Sequence, residues 1–242
     1  MSTEWLQRGW TAREGGDELA AEEAFRRALA EDEPDAEYYL GDFLVQTGRA
    51  AEAEPLLRNV VEGGDPDGLV PLGHAVADLG RPDEAAEHFQ TAANEGQANA
   101  LVDLGVLLLD DLKDPEAAET VLREAVERGA EDAPLALGAL LVEQERDEEA
   151  EEVLRAAMEQ GSLDAQVDLA NLLSEYEHEE EEAERLYRDA IERGDLDAEN
   201  NLGVLLRDLG RTGEAIEWLQ RAADRGDELA AGNLAALRAE MN

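Results

Sequence analysis

Histidines, serines and clustered carboxylates are the side chains through which this sequence could do chemistry. The densest cluster is EYEHEEEEAER, running from Glu175 to Arg185. There His178 stands among Glu177, Glu179, Glu180 and Glu181, a set that could hold a cation weakly. Metal sites need several ligands in fixed geometry, and one imidazole in an acidic turn does not supply it. Glutamates at the start of a helix are favoured by the helix dipole with no metal present. The stretch is therefore expected to be a solvated turn leading into a helix. His88 sits beside Phe89 as a surface or packing residue, and His74 is expected to make a polar contact. The serines are Ser2, Ser162 and Ser174, and of these only Ser174 has a histidine nearby, His178, so no nucleophile–base pair stands out. No glycine-rich phosphate loop precedes a helix. With no cysteine, disulfides, thiolate metal sites and cysteine nucleophiles are excluded. Paired carboxylates occur throughout and discriminate nothing. The expectation is a protein that is not an enzyme and carries no cofactor and no metal.

The composition points the same way. The chain of 242 residues is long enough to bury a large core. It is 43% hydrophobic but only 4% aromatic, and rich in Ala, Leu and Glu, which favour helix over sheet. The formal net charge is −41, from 61 acids against 20 bases, and Lys113 is the only lysine. Such a field repels nucleic acid and anionic membranes and favours cationic partners. The acidity has two readings, adaptation to concentrated salt or a basic partner, and the sequence is compatible with both. Glu4, Arg8, Arg13 and Glu14 break up the N-terminal stretch, so no signal peptide is expected. The longest apolar run, Leu135 to Val142, falls far short of the roughly 18 residues of a membrane span. A cytoplasmic protein, monomeric or weakly dimeric, is expected.

What positions the remaining side chains is a repeat. A small residue preceded by Leu or Arg recurs as Gly9, Gly41, Gly73, Gly105, Gly138, Ala170, Gly203 and Ala235, at steps of 32 or 33 residues. Twelve or thirteen residues after the first seven of these comes an alanine: Ala21, Ala53, Ala85, Ala118, Ala150, Ala183, Ala215. Four further on stands a large residue: Phe25, Leu57, Phe89, Leu122, Leu154, Tyr187, Leu219. Apolar spacing within each unit is helical, and Gly, Pro and acidic clusters break it. Each unit therefore reads as two helices. The first is expected to start at Asp35, Asp67, Asn99, Asp132, Asp164 or Asp197 as N-cap. The second is expected to end at Gly64, Gly96, Gly129, Gly161, Gly194 or Gly226. The two extra residues fall in the inter-helix turns at Asp110 to Pro115 and Tyr176 to Glu182. One helix pair cannot bury its apolar face alone, so each copy presents the same small and large residues to its neighbours.

This pattern resembles the tetratricopeptide family, and segments such as AAEHFQTAANEGQANALVDLG are similar to the related Sel-type repeats. Trp5 and Gly9, then Ala21, Phe25 and Ala28, fall on the family's aromatic–small–small–aromatic–small signature. The resemblance implies an all-α, right-handed superhelical solenoid forming a single domain over residues 1–242. Its repeats would be 3–34, 35–66, 67–98, 99–131, 132–163, 164–196 and 197–227, with a capping helix at 228–240.

In that family the first helix of each repeat lines a concave groove. The resemblance assigns ligand-facing positions three before and one, four and five after the small residue. Read by themselves, the first three of these rows form an apolar floor, richest at Val102, Val106, Leu109, Leu135 and Val142. The fourth is acidic in six of seven units and includes Asp78, Asp110 and Glu143. Apolar surface that stacking does not need is a candidate contact. Superhelical curvature or dimerisation could equally cover it, and a chain this acidic places acids on any solvated row. Tyr38, Asp42, His74, Asn171, Asn200 and Arg207 complete the candidate set. Asparagine offers donor and acceptor together and suits an extended peptide backbone, whereas Asn201 and Asn233 are expected to serve packing between repeats. The basic clamp that some family members use for chaperone tails is absent, since Arg13 and Arg207 are the only bases on these rows. The reading is a scaffold or adaptor that binds a basic, partly apolar protein or peptide, contacting neither nucleic acid nor membrane. The alternative is an acidic decoy that occupies a basic, nucleic-acid-binding protein through its outer surface.

The charge imbalance itself generates a prediction. At 1 M sodium chloride the reach of the field shrinks to about 3 Å, which relieves self-repulsion. The melting temperature should rise with added salt, and a steady fall would mean that ion pairs outweigh repulsion.

Overall fold

The computed structural model describes residues 3–175 and 179–240. Among the described residues the chain forms fifteen α-helices and no strand. Two compact units divide it, Met1–Ala133 and Pro134–Asn242. The first holds α1 (Glu4–Glu14), α2 (Glu18–Ala30), α3 (Ala36–Gln46), α4 (Ala50–Glu62), α5 (Leu69–Asp78), α6 (Pro82–Asn94), α7 (Ala100–Asp110) and α8 (Pro115–Glu127). The second holds α9 (Ala133–Glu143, from Pro134 on), α10 (Asp147–Glu159), α11 (Leu163–Ser174), α12 (Glu180–Glu192), α13 (Ala198–Asp208), α14 (Thr212–Asp224) and α15 (Glu228–Glu240). These are the seven expected helix pairs and the single C-terminal helix. Each unit is a stack in which a helix packs on its neighbours in sequence.

The small–large pattern is the packing rule of the six pairs that carry glycine at the small position. The large residue of the second helix lies against the backbone of the first at its glycine. A Cβ on Gly73 would sit 2.5 Å from Phe89 Cε1, and one on Gly41 would sit 2.7 Å from Leu57 Cγ. Gly9 meets Phe25, Gly105 meets Leu122, Gly138 meets Leu154 and Gly203 meets Leu219 in the same way. All seven alanines of the ladder, Ala21 through Ala215, are fully buried.

Helix ends follow the expected glycines but not the expected caps. Gly64 and Gly96 take φ of 90° and 100°, and the N–H of Asp65 reaches back to the Val60 carbonyl at 3.2 Å. The acidic caps need correction. Asp35 and Asp197 stand at the cap positions without a side-chain cap bond. Asp164 lies inside α11, whose cap is Ser162 accepting from the Ala165 N–H at 3.2 Å. Asp67 sits in a 3₁₀ turn, Pro66–Gly68, that delays α5 to Leu69. Val60, where most repeats carry alanine, packs against Gly68, where an added Cβ would lie 2.8 Å from it. Asn99 instead accepts from the N–H of Glu131, at the far end of its own repeat, at 3.2 Å. The first insertion lies in the turn 111–114, where Lys113 takes φ 55°. Within the second, Tyr176, Glu177 and His178 lie outside the described residues.

The outer surface carries a second repeated device that the sequence reading did not anticipate. A glutamate and an arginine four apart on one second helix meet an arginine and a glutamate three apart at the start of the next. Glu22 and Arg26 join Arg49 and Glu52, with Arg26 to Glu22 at 2.8 Å and to Glu52 at 2.9 Å. Glu54, Arg58, Arg81 and Glu84 repeat the arrangement, as do Glu184, Arg188, Arg211 and Glu214. Networks of this kind stabilise more than isolated surface pairs. The flanking Arg81 and Arg58 hold the Glu54 carboxyl below its ordinary value.

The packing rule predicts opposite signs for one substitution. Gly73→Ala forces a methyl into the buried Phe89 ring and should cost ~1–3 kcal/mol. Gly213→Ala, with nothing within 4 Å of its Cβ, should stabilise by ~0.5 kcal/mol. Denaturant melts of the two variants check the ranking.

Candidate functional site

The candidate residues fall into separate groups on the first-helix faces of the two units. In the first unit the N-terminal repeats fill their own face. Trp10 packs edge-on against Phe25 and Tyr39, with ring centres 5.7 and 5.3 Å apart, and Arg13 lies 5.2 Å over Trp10. Asp42 accepts from Gln46 Nε2 at 2.8 Å and lies 3.8 Å from Arg13, so its carboxylate is already engaged. Tyr38 stacks edge-on with Tyr39 and also borders a polar recess with Asn59 and Asp65.

His74 is the electrostatic centre of this unit's face. Its Nε2 lies 3.3 Å from Asp103 Oδ1 on the next first helix, and its ring packs on Phe89 at 5.0 Å. The hydrogen bond to Asp103 holds the imidazole above its ordinary value against the opposing desolvation, and Asp78 and Asp42 add to the effect. Three expected residues, Asp42, His74 and Asp78, thus share one acidic neighbourhood. Asp103, two before the small residue, was not anticipated, although an acid in the apolar run ALVDLG is a visible anomaly. Further along, Val106 is 44% exposed. Val102 and Leu109 are half-buried, and Asp110 is exposed at the end of α7.

In the second unit Val142, Glu143 and Asn171 come together around a recess of about 380 Å³ that Ala139, Leu154, Asp168 and Glu175 also line. Val142 is 39% exposed, while Leu135 is half-buried. A row of amides crosses this unit from α11 to α15. Asn233 Nδ2 donates to Asn200 at 2.9 Å, and Asn200 Nδ2 donates to Asn201 at 3.2 Å. Asn201 Nδ2 then donates to Asn171 Oδ1 at 3.0 Å. The Tyr187 hydroxyl donates to the same oxygen at 2.7 Å, and burial pushes that phenol up to about 12, which keeps it a donor at neutral pH. Asn201 and Asn233 bridge repeats as expected, but they also join Asn171 and Asn200 in one network. Arg207 donates to the adjacent Asp208 at 2.8 Å. Burial raises the Asp168 carboxyl, which Asn171 only partly offsets. Asp168 stands in the row of Asp103, Asn201 and Asn233, of which the sequence singled out only the two asparagines, as packing residues.

Among the described residues no group of His, Asp and Glu is arranged to hold a metal ion. His178 and Glu177 lie outside the described residues. No helix is long and apolar enough to cross a membrane.

The His74 geometry carries a pH prediction. A folded value above the unfolded one means that the protonated His74–Asp103 pair stabilises fully below the ordinary 6.5. That contribution is lost as pH rises through the raised folded value. His88 should titrate on the other side of 6.5, because burial lowers it. In a proton NMR titration the two imidazole midpoints should therefore split around 6.5, and Asp103→Asn should bring only the His74 midpoint down.

The tetratricopeptide repeat profile matches residues 6–68, 70–134, 107–165 and 181–232. Among solved structures, a tetratricopeptide repeat protein from Parabacteroides merdae ATCC 43184 is similar with a TM-score of 0.62 at 17% identity, covering 99% of this chain and 98% of its own. A Sel1 repeat protein from Oxalobacter formigenes gives 0.59 at 22% identity, covering 81% of this chain and 88% of its own. YrrB, a tetratricopeptide protein with an unusual peptide-binding site, gives 0.50 at 21% identity, covering 73% and 96%. No curated protein matches the sequence. Profile matches in both units, on helix pairs built by one small–large rule, place the chain in the tetratricopeptide repeat family.

Proposed function

We propose that the first-helix faces bind a basic, partly apolar protein or peptide segment. The tetratricopeptide fold is generally a protein–protein interaction scaffold, and its neighbour YrrB has a peptide-binding site. The observation that carries the reading is a pair of uncovered valines. Val106 and Val142 are among the few large apolar side chains that stacking leaves exposed, and each stands on a first helix close to an exposed acid, Asp110 or Glu143. An apolar contact edged by acid selects a ligand with apolar and cationic side chains. The amides of the second unit largely satisfy one another, so Asn171 and Asn200 would meet a peptide backbone only with the capacity this network leaves over.

Charge pairing separates this reading from the acidic decoy. On the outer face the arginines are committed to glutamates in the four-membered networks around Glu22, Glu54 and Glu184. Among the described residues no arginine pairs with Asp78, Asp110 or Glu143. The outer networks thus hold their own charges in pairs, whereas Asp78, Asp110 and Glu143 on the first helices are left to meet a cationic ligand.

Selection from a phage-displayed random peptide library, followed by titration of the recovered peptides, tests the reading. Val106→Asp should weaken those bound at α7 by more than tenfold with the helical spectrum intact, because it sets an unpaired charge in an apolar contact. Asp110→Asn should weaken them only a few-fold and flatten the salt dependence, as a charge at the rim does. A library that yields no binder, or peptides that ignore both this substitution and Val142→Asp, would move the site to the outer surface.

A further inference from the structure

The repeats invite comparison with one another, and one comparison exposes a missing side chain. In the first unit Asp103 on α7 faces His74 of the preceding first helix, at 3.3 Å. His74 follows the small residue Gly73, and Asp103 stands two before Gly105. Asp168 occupies the same place two before Ala170, in the matching stretch AQVDLA. The residue that corresponds to His74 is then the one after Gly138, which is Ala139. Where the first unit supplies a cationic ring to the aspartate, the second unit supplies a methyl group. The space so vacated is the recess of about 380 Å³ between α9, α10 and α11, with Ala139 and Asp168 both in its lining.

Its lining has the character of a long cationic side chain's environment. Ala139, Val142 and Leu154 offer apolar contact for a stem, while Asp168, Glu143 and Glu175 offer carboxylates for a head. Asp168 is half-buried, and among the described residues its hydrogen-bond contact is the Asn171 amide at 3.5 Å, at the limit of such a bond. The neighbouring bases of the unit are committed elsewhere: Arg146 to Glu149, Arg155 to Glu151 and Glu182, and Arg193 towards Asp189. A desolvated carboxylate with no cation beside it among the described residues is stabilised by one that arrives from outside.

We propose that this recess is a socket for a lysine or arginine side chain of the bound segment, with Asp168 as counter-ion in the role that Asp103 plays towards His74. The proposal rests on the peptide-binding reading and names the anchor of the ligand in the second unit. It also explains why the two units diverge at one row: the first closes its socket with its own imidazole, and the second leaves it open.

The test uses four capped tripeptides, acetyl-Leu-X-Leu-amide, with X as arginine, lysine, citrulline or norleucine. Binding is followed by NMR at the Val142 methyls, the Asn171 side-chain amide and the Asp168 carboxyl carbon. The arginine or lysine peptide should shift all three saturably, and comparison of those two peptides ranks guanidinium against ammonium. Citrulline and norleucine, which keep length but lose charge, should bind at least tenfold more weakly. Asp168→Asn should reduce binding of the cationic peptide by tenfold or more, and Ala139→His, which restores the first unit's ring, should abolish it. Glu192→Gln removes one exposed charge elsewhere and should leave it unchanged. Absence of saturable shifts, or equal binding to parent, Asp168→Asn and Ala139→His, overturns the socket. Library peptides that still bind at Val106 in that event would leave the broader reading standing and remove only the anchor.

Discussion

The structure depends on the contact between the large residue of each second helix and the bare backbone of the first. A glycine at positions such as 41 and 73 removes the Cβ that would keep the helices apart, and the partner's Leu or Phe fills the space. Close approach then demands alanine on the facing ladder, where every methyl from Ala21 to Ala215 is buried. Interiors at this packing density do not absorb an added methylene cheaply. Six repeats keep glycine at the small position, and the one that does not is informative. Ala170 faces Tyr187, the only large residue of the set that carries a polar tip, and that tip emerges to donate to Asn171. A single departure from the rule thus connects the core of a repeat to its first-helix face.

Charge is organised with the same division of labour. A net charge of −41 in a chain with 20 bases leaves few cations to spend, and a large share of the arginines stand where repeats meet on the outer surface. There each guanidinium reaches one carboxylate on its own helix and another across the junction, in the forked geometry that suits arginine better than lysine. The near absence of lysine is consistent with that use. The first-helix faces receive His74 and Arg13 in the first unit and Arg207 in the second, and their remaining acids have no such partners among the described residues.

The fold was legible because periodicity is a global signal. Eight spaced small residues and their large partners determine helix pairs whatever the local capping chemistry does. Caps were less legible because they depend on one torsion angle and one neighbour. Asp35 enters α3 in the left-handed region, where its side chain makes no cap bond, and a 3₁₀ turn over Pro66–Gly68 takes up Asp67 before α5 begins. The outer networks were written plainly in the spacing of Glu22 to Arg26 and Arg49 to Glu52, but only across two repeats at once. Of the site, Val106, Val142, Glu143 and Asn171 were readable as departures from stacking. Asp103 and Asp168 were not, because their row lies one turn from the positions that the family resemblance supplied. Their meaning depends on which residue the preceding repeat places opposite.

That last dependence is general for a chain built from copies. Residues that hold the stack are repeated because each copy needs the same neighbour, so their identity carries little information about a ligand. The rows beside them are free to vary, and variation there changes a pair of residues rather than a single one. Trp10, Asp42, His74, Val106, Ala139, Asn171 and Val204 all occupy one such row, and within the units Trp10 meets Tyr39, His74 meets Asp103 and Asn171 meets Asn201. Where the pair is complementary, as in His74 with Asp103 or Asn171 with Asn201, the face is closed by the chain itself. Where it is mismatched, as in Ala139 with Asp168, a half-buried carboxylate has no cation beside it among the described residues. The proposed socket rests on that mismatch between two rows, which neither Ala139 nor Asp168 would reveal when read alone.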